Sequence, residues 1–512
     1  MDFSGILTGI ETTLTPTNLL FVFVGVLVGM IIGVIPGLGP TATIALLLPV
    51  TYSLEPATAV IMLAGIYYGS MYGGTITSVL LHLPGEAASV VTTFDGYQMA
   101  RQGKAGPALG IAAIGSFVGG LVSVVGLVLL APALASFALR FGPPEYAVLA
   151  LIGILLAATL ASRRFAAALL MAAMGLLLAT VGQDSIEGSA RFTFGSLDLL
   201  SGLDFVAVAM GLFGLGELLH TLEQSRQPKP ERATVSHVLP SRTELRQSRG
   251  AIGRGTVIGF FLGLIPGGGG MVASMASYAV EKRRAKDPAR FGHGAIEGVA
   301  GPETANNAGS QSSFVPLLTL GLPANPVLAL IFGALLIQGI TPGPQLIDEN
   351  PDIFWGVIAS MFVGNVILLV LNLPLVRLFI RILDVKVAIL VTIAVVVMMI
   401  GVFSINNSVF DLWVVLVFGI IGYGMRKLGF EPGPLVLAFV LGALLEPAIR
   451  QSLLLSGGDV SVFLTRPISG TMIALVCGFA LLRLVRIRRR RSIASRDTKV
   501  VDTEAVAEQR VP

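Results

Sequence analysis

Residues 105–139 contain no lysine, arginine, aspartate or glutamate, and stretches of similar character recur along the whole chain. A helix crosses the apolar core of a bilayer with about 20 apolar residues. Candidate runs lie at roughly 57–83, 108–138, 145–160, 165–181, 203–219, 312–340, 353–376, 387–404, 409–425, 432–447 and 468–487. Charged residues make up only 12% of the sequence, about half the 25% usual in a soluble domain. That is too few to coat a large soluble core. A cytosolic enzyme, a disordered chain and a nucleic-acid binder are excluded. An all-α polytopic membrane protein remains, with about 11 or 12 membrane segments. The first residues, Met1-Asp2-Phe3-Ser4-Gly5, carry no basic n-region, so no signal peptide is expected. The single cysteine, Cys477, lies in an apolar run and is expected to form neither an internal disulfide nor a metal cluster.

Loop charge gives an expected topology. Arg101 with Lys104, Arg163 with Arg164, the loop 223–254, the loop 282–290, Arg377 with Arg381 and Lys386, and Arg426 with Lys427 read as cytoplasmic. So does the C-terminal tail. Stretches 184–198, 348–352 and 406–411 are poor in Lys and Arg and read as external. The basic run 486–491 reads as a stop-transfer anchor facing anionic lipid, and the polar tail beyond it as disordered.

Two apolar stretches, about 18–50 and 255–280, are interrupted in the same way. Gly29-Met30-Ile31-Ile32-Gly33-Val34-Ile35-Pro36-Gly37-Leu38-Gly39 returns as Gly259-Phe260-Phe261-Leu262-Gly263-Leu264-Ile265-Pro266-Gly267-Gly268-Gly269. A second break, Leu81-His82-Leu83-Pro84-Gly85-Glu86, is echoed by Leu320-Gly321-Leu322-Pro323-Ala324-Asn325. The chain therefore divides into a first half, 1–220, a cytoplasmic linker, 221–254, a second half, 255–485, and a basic cytoplasmic tail, 486–512. Proline removes a helical donor and clashes with the preceding turn. A Pro-Gly run inside an apolar stretch should end one half-helix and begin another. In lipid the freed backbone groups cost several kcal/mol each unless protein or a hydrated cavity receives them. Both flanks of 255–280 are basic, so this segment is expected to enter and return with its tip at 266–270. The first copy is expected to enter from the opposite side. Two opposed, broken hairpins point to an inverted-repeat transporter with its site at the breaks. Glycines alone would equally serve close helix packing, the reading given to Gly119, Gly120, Gly211 and Gly214. Packing does not account for the prolines.

Half-helix N-termini offer unpaired N–H donors and positive partial charge, which suits a carboxylate. Unwound carbonyls near Gly37 and Gly267 suit Na+. Small polar residues cluster near the breaks: Thr41, Thr43, Thr75, Thr77, Ser78, Ser89, Thr92, Thr93, Ser274, Asn306, Asn307, Ser310, Gln311, Ser312 and Asn325. Glu86 and Glu303 read either as functional membrane carboxylates or as helix caps at a hydrated edge. His82 reads either as a proton or substrate contact or as a structural histidine. Tyr67 and Tyr68 read as packing residues, and His293 as a loop residue. No Walker, zinc-protease or nucleophile-elbow motif is present in the sequence, so no enzymatic function is expected.

The segments 33–49, 67–84, 92–106, 259–270, 291–307 and 317–344 closely resemble the large membrane subunit of the tripartite tricarboxylate transporters, the TctA-type family, and the resemblance extends over about 18–485. It implies a bacterial inner-membrane carrier that imports tricarboxylates or related organic carboxylates and has a cytoplasmic C-terminus. It further implies a small four-span membrane subunit and a periplasmic substrate-binding protein as partners. The resemblance also implies coupling to an ion gradient, with Na+ as the expected ion and no other cofactor. Elevator-like movement is the expected transport step. Carried over by motif, the substrate-binding positions are Pro36, Gly37, Gly39 and Thr41 at the first tip, and Pro266, Gly267 and Gly269 at the second. Pro84, Gly85, Pro323 and Asn325 mark the later breaks, with Asn306 and Asn307 beside them. The chain departs from the family at Ala324-Asn325, where Pro-Gly is usual, and at His82, where a smaller amide residue is common. Both departures bear on which carboxylate is carried. The competing expectation is a stand-alone organic-anion exporter or channel built on the same broken helices.

Overall fold

The structure, a computed structural model, describes residues 4–35, 38–161, 164–184, 186–224, 235, 237–384, 387–478 and 481. They are almost wholly helical, apart from a two-stranded ribbon, Gly182–Gln183 with Ala190–Arg191. Among them, nine helices are long and apolar enough to cross a membrane: Pro16–Gly33, Pro56–Leu81, Ala105–Ala138, Pro143–Leu160, Phe205–Glu223, Pro351–Asn372, Ala388–Asn406, Val409–Lys427 and Gly433–Leu455. Four shorter apolar helices accompany them: Pro40–Tyr52, Phe165–Ala179, Pro326–Ile337 and Pro467–Gly478. The chain is therefore an all-α, multi-pass membrane protein. Several helices begin on a proline, including those at Pro16, Pro40, Pro56, Pro326 and Pro351. Its missing N–H falls where a helix has no acceptor to offer, and its fixed φ already suits the first turn.

Each interrupted stretch is divided into two helices. Residues 18–50 fall in the helices Pro16–Gly33 and Pro40–Tyr52, with residues 36–37 between them outside the described residues. Residues 255–280 fall in a hairpin of two helices, Arg242–Gly263 and Gly269–Arg284. Its first arm starts inside the basic linker, on a capping box in which Ser241 Oγ accepts from Glu244 N and Glu244 Oε2 accepts from Ser241 N. Arg254 on that arm clamps Glu281 on the other through bonds of 2.7 and 2.5 Å. The apolar run 312–340 is not one span. Helix Glu297–Ser312 continues through Ser313 into Phe314–Leu320, breaks at Gly321, and resumes as Pro326–Ile337. The linker residues 225–234 and the basic tail from 482 onward lie outside the described residues.

Two compact units emerge. One comprises Met1–Arg140 with Gly153–Ala443, the other Phe141–Ile152 with Leu444–Pro512. The smaller unit contains a buried carboxylate, Glu145, which accepts from Arg466 Nε at 2.8 Å and from the backbone N–H of Gly142 at 2.8 Å. The larger unit holds both broken hairpins and both later breaks.

Inside that larger unit the repeated sequence gives repeated packing. Helix 16–33 lies against helix 56–81, and helix 242–263 against helix 297–312. A Cβ on Gly25, Gly29 or Gly33 would stand 2.4 Å from the carbonyl oxygens of Met62, Ile66 and Ser70 respectively. A Cβ on Gly255, Gly259 or Gly263 would meet those of Gly301, Ala305 and Gly309 at 2.5, 2.3 and 2.3 Å. One glycine per turn thus lets two backbones touch in each half. Without a hydrophobic drive between helices in lipid, such close contact is what holds them together. The early glycines of the repeated motif are packing residues, and in the second copy its Pro266-Gly267 end lies in the turn. Gly119, against Thr304, and Gly211, against Val415, also serve packing.

Candidate functional site

The later breaks share one local geometry. His82 ends helix 56–81 in the left-handed region at φ 56°, and Gly321 ends helix 314–320 there at φ 68°. Four residues on, Glu86 and Asn325 are both extended and both cap the helix that follows. Glu86 Oε2 accepts from Ala88 N at 2.7 Å, and Asn325 Oδ1 from Leu328 N at 3.0 Å. His82 is exposed and its ring stacks on Tyr97 with centroids 4.6 Å apart, so it acts as a helix terminator at the surface.

Each cap then reaches into the other half. Asn306 Nδ2 donates to Glu86 Oε1 at 3.3 Å, and Asn325 Nδ2 donates to Tyr67 Oη at 2.9 Å. The two pairs are equivalent. Glu86 and Asn325 hold the same place in their breaks, and Tyr67 and Asn306 hold the same place in the helices before them. One gap-free register, 62–86 on 301–325, places both. Tyr67 and Asn306 are almost wholly buried. Reciprocal bonds of this kind bring the two breaks together in the interior of the unit.

The second tip joins the same place. Gly267, at φ 79°, donates its N–H to the carbonyl of Ala324 at 2.6 Å. Gly269, at φ 50°, begins helix 269–284, and a Cβ there would sit 3.7 Å from Asn325 Nδ2. The N-termini of helices 269–284 and 326–337 therefore open side by side. Gly270 lies against Asn306 and Ser310: a Cβ on it would stand 2.4 Å from Asn306 Oδ1 and 3.0 Å from Ser310 Oγ. Pro266 is half-buried in the turn, and Pro323 is buried in its break.

In the first half, Pro36 and Gly37 lie outside the described residues. Gly39 is the extended cap of helix 40–52, and Thr41 is half-buried in its first turn. Ile35 and Leu38 pack into an apolar cluster with Leu218 and Val391. Gly85 is buried against the carbonyl of Gly33 and the backbone of Gly74, so the end of helix 16–33 lies beside the later break of its own half. Pro84 is exposed. Asn307 points elsewhere, with its Nδ2 on Ser116 Oγ at 2.7 Å and on the Glu303 carbonyl at 3.2 Å.

Glu303 is fully buried and accepts from the hydroxyls of Thr75, at 2.7 Å, and Thr92. Asp95, equally buried, accepts at Oδ1 from the backbone N–H groups of Gly292, Gly294 and Ala295 at 2.8–2.9 Å, and at Oδ2 from Tyr278 Oη at 2.9 Å. The stretches 92–106 and 291–307 thus interlock. Among the described residues, no lysine, arginine or histidine forms an ion pair with Glu86, Glu303 or Asp95. No cluster of three or more metal-ligating His, Cys, Asp or Glu occurs among those residues. Sequence reasoning named Asn306 and Asn325 but gave Tyr67 a packing role and left Glu86 undecided. The signal for both was the continuous register across the break.

The tripartite tricarboxylate transporter TctA family matches residues 19–437. An uncharacterized 52.8 kDa protein in the TAR-I ttuC' 3' region of Agrobacterium vitis is 49% identical over 497 residues, covering 96% of this chain and 99% of its own. An uncharacterized protein in the TAR-II ttuC' 3' region of the same organism is 53% identical over 234 residues, covering 45% of this chain and 97% of its own. No solved structure matches the chain.

Proposed function

The chain belongs to the tripartite tricarboxylate transporter TctA family, and on that premise we propose that it is the large permease subunit of a binding-protein-dependent importer of organic carboxylates. The observation that carries this reading is the side-by-side opening of helices 269–284 and 326–337 at Gly269 and Asn325. Helix 269–284 offers its first-turn N–H groups at this opening. Helix 326–337, where Pro326 has no N–H and the Leu328 N–H is held by Asn325 Oδ1, adds chiefly its partial positive charge, about half a unit at each N-terminus. A carboxylate placed there receives backbone donors and the Asn325 and Tyr67 side chains, with no fixed cation to hold it too tightly for release. Broken helices at matching positions of two related halves support alternating access around this point. In this reading the halves are inverted repeats, and the site-bearing body moves elevator-fashion against the remaining spans.

A small four-span membrane subunit and a periplasmic binding protein complete the system in the bacterial inner membrane, and a Na+ gradient drives uptake. The test is uptake of labelled carboxylates by proteoliposomes holding the chain and the small subunit. Uptake should require the binding protein and an inward Na+ gradient. Equal uptake without the binding protein would contradict the tripartite reading. Uptake driven only by a proton gradient would contradict the Na+ assignment.

A further inference from the structure

Asn306 is completely buried, and its two amide ends have different fates. The Nδ2 end donates to Glu86 Oε1. A carboxylate accepts and cannot donate, so this bond fixes the amide's orientation and leaves Oδ1 facing away from Glu86. Oδ1 has no hydrogen-bond partner. It lies where a side chain on Gly270 would stand, with Ser310 Oγ beside it. Ser274, one helical turn beyond Gly270 and on the same face, is also fully buried with an unpartnered hydroxyl. An orphaned buried polar atom costs about 1–3 kcal/mol. Asn306 and Ser274 each leave one, on two helices packed against each other, and Glu86, bonded to Asn306 Nδ2, has no ion-pair partner among the described residues, so the group calls for a common partner.

We propose that Glu86, Asn306, Ser274 and Ser310 form a site for one Na+ ion next to the carboxylate position. The proposal rests on the Na+-coupled reading above and gives the ion a place. Every donor is oxygen, as a hard cation of this kind prefers. A single carboxylate suits a monovalent ion. The nearby N-terminus of helix 269–284 opposes a cation with a partial charge, which the full charge of Glu86 outweighs. The same ion explains how an anionic substrate enters beside Glu86: the bound Na+ neutralises the protein's carboxylate and removes the repulsion. Gly270 lacks a side chain because the ion and Asn306 Oδ1 occupy that space.

The test is equilibrium binding of radioactive Na+ to the full-length protein, purified with its associated subunits and without carboxylate substrate. Glu86→Gln should weaken binding by about tenfold or more, a loss of about 1.4 kcal/mol. Ser274→Ala should weaken it by about fivefold. The serine variant removes an unbonded buried hydroxyl, so its thermal stability without Na+ should equal or exceed the parent's. Its loss of binding therefore cannot come from misfolding. Parent-like binding in both variants would overturn the location while leaving Na+ coupling intact. No Na+ binding by the parent protein would overturn both.

Discussion

Glu86 and Asn325 occupy the same position in two different breaks, cap the next helix in the same way, and hydrogen-bond across to equivalent residues of the opposite half. One is charged and the other is neutral. The two breaks thus present chemically different side chains to the interior of the unit. The asparagine face, with its two helix N-termini, suits an anion. The glutamate face suits a cation.

His82 stands where the other half has Gly321, in a left-handed conformation that costs a non-glycine residue about 1–2 kcal/mol. His82→Gly removes that cost and loses only the ring stack on Tyr97. His82→Val keeps the cost and adds a branched Cβ. The valine variant should be less stable than the glycine variant by about 1–2 kcal/mol, read from melting curves in detergent.

Gly29 and Gly259 should be intolerant for one shared reason, since each presses on a carbonyl oxygen of the facing helix. Replacing either with alanine forces two backbones apart, at about 1–3 kcal/mol. Gly253, with nothing near its missing Cβ, is the internal control and should accept alanine without loss. Thermal melting of the three variants separates packing from mere helix propensity.

Asp95 gathers three backbone donors and a tyrosine hydroxyl from the opposite half. Asp95→Ala strands these donors and should cost about 3 kcal/mol or more. Asp95→Asn retains a carbonyl for the three N–H groups, and Tyr278 can turn to accept. It should cost less than half as much. Hydrogen exchange at Gly292, Gly294 and Ala295 should quicken in the alanine variant and stay near the parent rate in the asparagine variant.

Much of this architecture was legible in the sequence. Sparse charge pointed to a polytopic helical protein, and the Pro-Gly runs at 36 and 266 marked the interrupted stretches because glycines follow each proline. Proline alone does not break a helix here, since Pro132 and Pro302 lie inside helices. Asn306 and Asn325 stood out as amides beside the breaks. Tyr67 did not, because a tyrosine in an apolar helix packs far more often than it binds, and only its partner reveals the hydroxyl's use. Helix lengths were less legible. The run 312–340 reads by hydropathy as one span, and only the break motif at 320–325 tells that it divides at Gly321. The first arm of the second hairpin starts at Arg242, inside a basic segment that charge alone assigns to a loop. The role of Asp95 depends on a loop almost 200 residues away, beyond any local pattern.

The central claim is that the paired breaks hold the substrate at Tyr67, Asn325 and Gly269. Its most direct measurement is labelled-carboxylate uptake by proteoliposomes carrying Tyr67→Phe or Asn325→Ala together with the partner subunits. Each variant should insert normally and melt within about 1–2 kcal/mol of the parent, yet lose about tenfold or more of its uptake. Uptake at the parent rate in both variants would contradict the account.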